Sequence, residues 1–125
     1  MVANLLVYAG SIIIIGWGIA HIMPVKKVVK GFGDISEENK KIILMEWAAE
    51  GITLCFIGVL ALLTGILGGT TNSLSRIVFR ISAGMLLVMA IWTVLTGART
   101  SIVPIKICPY VKIFVAILLL VGSFI

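Results

Sequence analysis

The sequence predicts an all-α, polytopic membrane protein: four transmembrane helices in an antiparallel bundle, with a short interfacial helix after the first span. Three observations lead there. Of the 125 residues, 61% are hydrophobic and only 12% charged, where a soluble domain is about half apolar and about a quarter charged. The mean hydropathy is +1.24, more apolar side chain than one soluble core can take up, but well suited to a bilayer. The apolar residues also gather in four segments, at about 2–23, 42–69, 77–98 and 107–125, each near the ~20 residues that cross ~30 Å of hydrocarbon. A spanning backbone must satisfy its own hydrogen bonds, so helices are the default, and 1–125 reads as a single domain.

The first segment carries one titratable side chain, His21, and stops at Met23-Pro24, because the residue before proline avoids the α region. In "PVKKVVKGFG", Val25, Val28, Val29 and Phe32 recur at helical spacing, with Lys26, Lys27 and Lys30 on the other face. Pro24 suits a first helical position and Gly31 a C-terminal cap. The expectation is a short helix in the cytoplasmic interface, valines down and the three lysines toward anionic lipid headgroups. The alternative is an irregular loop with solvated lysines.

Asp34 or Ser36 is the expected N-cap of the next helix, with Glu37 and Glu38 in its first turn, where the helix dipole favours acids. From Ser36 to Leu67 this helix would be ~48 Å long, so its first turns should stand outside the membrane. Gly51, Gly58 and Gly65 recur every seven residues along it and read as a packing seam, inside the monomer or in a dimer. The short polar loop "GGTTNSLSR" leads into the third segment. The connection "ARTSIVPIKICPYVK" holds Pro104, expected in a loop along the interface, and Pro109, a possible start for helix four.

The net charge of +5 is read as topology and not as nucleic-acid binding. Lys26, Lys27, Lys30, Lys40, Lys41, Arg99, Lys106 and Lys112 fall on one side, and only Arg76 and Arg80 on the other. The positive-inside rule then places loops one and three in the cytoplasm and both termini outside, in a multi-pass cell-membrane protein. No basic n-region or small-residue cleavage site is evident, so no cleavable signal peptide is expected. Cys55 and Cys108 do not suggest a disulfide, one lying inside a span and the other toward the reducing side.

Ionisable residues inside a span are functional candidates by default. Here these are His21, Glu46 and Glu50, with Arg99 at the rim. His21 and Glu46 lie ~6 Å inside the membrane and Glu50 ~12 Å inside. Helices one and two, joined by a short connection, can bring them together. Two ionised glutamates one turn apart repel, so either a cation sits between them or one is protonated. The expected cluster is His21 with Glu46 and Glu50, closed by Arg99. Trp17, Trp47, Trp92 and Tyr110 would border the cavity, although Trp47 alone could be an interfacial anchor. HExxH, CxxC, P-loop and GxSxG motifs are all absent, and no metal or cofactor is expected.

The run "GWGIAHIMP" at the end of the first span, followed by "MEWAAEG" in the second, resembles small four-helix membrane proteins of bacteria and archaea of the DoxX-like type. The resemblance implies a four-span fold and a link to respiratory or thiol-redox partner systems, and related four-helix bundles bind sterol-like ligands. The sequence departs from a redox enzyme in having no paired catalytic cysteines.

These observations lead to an integral membrane protein with an intramembrane polar pocket opening toward the cytoplasm. It would bind a small amphipathic, lipid-like or quinone-like molecule, or act as an accessory subunit, with a homodimer or a membrane partner protein as possible company. A proton-coupled transporter of small cations and a structural protein without ligand are the alternatives. An isomerase using Glu50 as acid and His21 as base is a further one.

Overall fold

A computed structural model describes all residues, 1–125, and it is helical throughout. Helix α1 spans Val2–Ile22, α2 Val25–Gly31, α3 Glu37–Gly68, α4 Ser73–Leu95 and α5 Val103–Phe124, with one 3-10 turn at Gly97–Arg99. Four of these helices are long and apolar enough to cross a membrane, which makes the chain a multi-pass membrane protein.

Local chemistry sets the boundaries. Ser36 caps α3, its hydroxyl accepting from the Asn39 amide at 3.1 Å, while Glu37 and Glu38 occupy the first turn against the positive end of the helix dipole. Asn72 caps α4 through the Leu74 amide at 2.9 Å. Gly69 ends α3 with φ 71°, a conformation that a side chain would strain. In the short α2, Pro24 is the N-cap, Gly31 is the last helical residue and Gly33, at φ 72°, makes the turn. The fourth span starts earlier than expected. Pro104 lies in the first turn of α5 and Pro109 inside the helix. A proline in a first turn removes only an amide that would have had no partner, so Pro104 opens the helix that it had been expected to precede.

The long helices form a ring in the order α3, α1, α5, α4. Three of its seams are closely packed, and the fourth, between α3 and α4, is the thinnest. Along α1 and α3 rising residue numbers meet falling ones: Tyr8 touches Gly65, Ser11 touches Gly58 and Gly18 touches Gly51. The seven-residue glycine repeat is therefore a seam within the chain. A Cβ built on Gly58 would stand 2.8 Å from the Ser11 carbonyl oxygen, and one on Gly18 2.7 Å from the Gly51 carbonyl oxygen. Backbone meets backbone here, the packing available where lipid is as apolar as leucine and close approach supplies the attraction.

The interior combines an apolar cluster, including Val7, Ile14, Leu54, Phe79, Leu86 and Leu119, with buried Ser11, Ser82, Ser123 and Lys112. Ile12, Phe56, Leu67, Ile81 and Phe114 point outward. An apolar exterior around enclosed polar groups suits a hydrocarbon solvent. At the end of the bundle away from α2, Arg80 holds the last turn of α5. Its guanidinium donates to the Ser123 hydroxyl at 3.2 Å and the Ser123 carbonyl at 3.3 Å, and it lies 4.2 Å from the centre of the Phe124 ring.

Gly58→Ala should lower stability by about 1–3 kcal/mol through overpacking. Gly16→Ala, where a Cβ meets nothing within 4 Å, should be neutral or stabilising by about 0.5–1 kcal/mol. Equilibrium unfolding of the two variants in mixed micelles measures both.

Candidate functional site

Four helices contribute to one polar cluster near the α2 end of the bundle. Helix α3 carries Glu50, α1 carries His21 in its last turn, and α5 places Cys108 and Lys112 one turn apart on the same face. Thr93 comes from α4. The Lys112 side chain is 0% exposed and ion-paired through Nζ to Glu50 Oε1. It also donates to Thr93 Oγ1 at 2.8 Å, and the Thr93 hydroxyl donates to the Met89 carbonyl at 2.8 Å. On the other side, Trp17 Nε1 donates to Cys108 Sγ at 3.3 Å, and that thiol lies 3.9 Å from Glu50 Oε1. An ammonium enclosed by protein and hydrocarbon is tolerable only with a counter-charge and hydrogen bonds, and Glu50 and Thr93 supply them.

His21 is held differently. Its ring stacks on Trp47 with centroids 4.4 Å apart and an interplanar angle of 10°, and Trp47 Nε1 donates to the His21 carbonyl oxygen at 2.6 Å. Trp47 is thus a structural partner of His21. The His21 side chain is 9% exposed. Its Nε2 lies 3.5 Å from Glu50 Oε2 and has no hydrogen-bond partner.

These groups border a cleft of about 560 Å³, whose volume falls in the range of small-molecule sites. Its walls are α3, through Ile42, Ile43, Glu46, Trp47 and Glu50, and α4, through Val88, Met89, Trp92, Thr93 and Thr96. His21, Cys108 and Lys112 lie behind them, with Gly97 and Ile105 at one end.

His21, Glu46, Glu50, Trp47 and Trp92 all border this cleft. Glu46 is exposed at its rim, one turn from Glu50. Arg99, Trp17 and Tyr110 do not line it. Arg99 is exposed in the 3-10 turn and Trp17 lies behind Cys108. Tyr110 is 72% exposed, since two residues along a helix from Cys108 and Lys112 is the opposite face. Lys26 and Lys27 lie on exposed positions of α2, as does Lys30. The cation at Glu50 is Lys112, where His21 or Arg99 had been expected. Lys112 had been read as a topology charge near the start of span four. A signal was present: with Pro104 opening the helix, Lys112 lies about 13 Å along it, level with Glu50, and it shares the buried stripe of Cys108, Val115, Ala116 and Leu119.

No protein-family model, curated protein or solved structure matches this chain. The DoxX-like resemblance therefore rests on its two short motifs alone.

The two ends of the ion pair differ in burial, with Glu50 32% exposed and Lys112 fully enclosed. Glu50→Gln, which strands the enclosed ammonium, should destabilise by about 3–5 kcal/mol. Lys112→Met, which leaves a carboxylate open to the cleft, should be the milder change. The double variant should recover most of the loss. Denaturant titration of the three variants in micelles tests the ordering.

Proposed function

We propose that the chain binds a small amphipathic molecule in the α3–α4 cleft, as an antiparallel four-helix bundle in the cell membrane. One observation carries this reading: the His21 side chain is nine-tenths enclosed and borders a cleft, and its Nε2, 3.5 Å from Glu50 Oε2, has no hydrogen-bond partner in the protein. A buried polar atom without a partner costs about 1–3 kcal/mol, and a ligand atom in the cleft would remove that penalty. The walls suit an amphipathic guest, with Trp47, Trp92, Met89 and Ile43 beside its apolar part and the polar groups gathered at the back. His21 is the proposed binding group, with Glu50 beside it held by Lys112 and Glu46 at the rim.

Small-cation exchange would need a carboxylate free to alternate between proton and substrate. Glu50 is already taken by Lys112, which favours the amphipathic ligand over the transporter. In the purely structural reading the cluster only sets helix register, and an empty cleft is the result that would select it.

The proposed orientation has α2 and the 3-10 turn in the cytoplasm and both termini outside. It rests on Lys26, Lys27, Lys30, Lys40, Lys41, Arg99 and Lys106 all lying at the cleft end. The lysines of α2 would then meet anionic headgroups, with the helix lying in the interface.

Native mass spectrometry of protein extracted in mild detergent should show a bound apolar species, which His21→Phe should deplete. A wild-type protein that is bare, and whose unfolding temperature no apolar compound raises, would sink the binding reading. In intact cells a membrane-impermeant thiol reagent should modify Thr71→Cys and spare Lys27→Cys; the reverse pattern would invert the orientation.

A further inference from the structure

Two cavities of the molecule lie in the same seam. The cleft at the His21 end and a smaller cavity of about 290 Å³, bordered by Leu63, Leu67, Leu74 and Val78 at the far end, each separate α3 from α4. The other seams of the ring are more closely packed, most tightly where glycine backbones of α1 and α3 touch. The open seam also faces outward. Val88 is 61% and Trp92 67% exposed, and in a spanning helix such apolar residues face hydrocarbon. A molecule dissolved in the bilayer could therefore reach the cleft sideways, without passing through water.

The charges select its head. Glu50 and Lys112 neutralise each other, which leaves the back of the cleft with no net charge to recruit an ion. An anionic head would pass the Glu46 carboxylate at the rim, and a cationic one would have to displace an ammonium already paired with Glu50 and hydrogen-bonded to Thr93. The unsatisfied group is the imidazole Nε2, which accepts from a hydroxyl in one tautomer and donates to a carbonyl in the other.

We infer that the α3–α4 seam is a lateral portal for a bilayer-dissolved molecule with an uncharged hydroxyl or carbonyl head, which hydrogen-bonds to His21 Nε2 while its apolar tail lies along Val88 and Trp92. This rests on the proposed binding of an amphipathic molecule in the cleft and adds the route and the head-group class.

Three diazirine-bearing long-chain probes test it, one each with a hydroxyl, a phosphate and a trimethylammonium head, added to the full chain in phosphatidylcholine nanodiscs. Photolabelled peptides are then located by mass spectrometry. The alcohol should label residues 42–50 and 88–96 about tenfold more than either charged probe. His21→Phe should reduce that labelling about tenfold, the equivalent of one buried hydrogen bond of ~1.4 kcal/mol, and His21→Gln should retain part of it. Val88→Trp, which touches no member of the polar network and fills the seam from the lipid side, should reduce it comparably and keeps the test decisive if His21→Phe folds poorly. Equal labelling of the cleft by a charged probe would overturn the inference and leave the binding reading standing. Unchanged labelling in Val88→Trp would overturn the portal alone. Failure of all three probes to label the cleft would overturn both.

Discussion

An ammonium group with no exposure, in a bundle whose surroundings are hydrocarbon, is the constraint around which the cleft end of this protein is arranged. Lys112 cannot be left unpaired there, so α3 must deliver Glu50 to it and α4 must deliver Thr93. Glu50 and Lys112 sit on helices that lie diagonally across the ring, and their pairing reaches across its interior. The Cys108 thiol and Trp17 extend the network to α1. Buried pairs of this kind are poor sources of net stability, because the attraction mainly offsets desolvation. Their stronger effect is on specificity: a register shift of one residue in α3 or α5 would separate the charges.

The remaining packing is set by the solvent. Hydrocarbon gives no hydrophobic drive to press helices together, so the tightest seam is the one where glycines let backbones touch. That explains why α1 and α3 adhere through Gly18, Gly51 and Gly58, while α3 and α4, with no comparable stripe facing each other, stay apart and leave room for a cleft. The cleft is thus a consequence of where small residues are and are not placed.

Within the cleft, charge and chemistry are separated. The ionised groups are closed on each other, and the one polar atom left over belongs to a ring that can be neutral or charged, the imidazole of His21. Trp47 fixes that ring from behind by stacking and anchors the His21 backbone by its indole N–H. A histidine positioned this firmly, with its Nε2 left without a hydrogen bond, has the character of a binding group awaiting a guest, and it is the feature on which the proposed function depends.

Composition and segment length determined the helical membrane architecture and the glycine stripe, and capping signals narrowed the start of α3 to Asp34 or Ser36 and favoured a short helix after Pro24 over a loop, because each is a property of neighbours along the chain or of one helix face. Depth arithmetic also placed His21 level with Glu46 and about one turn short of Glu50. Which partner each group takes was decided only in three dimensions. Lys112 read as a topology charge near the start of span four until Pro104 proved to open α5, which carried the lysine about one turn further into the bundle. Arg99 and Tyr110 had the right level but the wrong face or turn, and Trp47 took His21 as its partner where an anchoring role was equally compatible with the sequence. Helical spacing fixes which residues share a face; which way that face points depends on the ring order of the helices, and that order is set by packing between segments far apart in the chain.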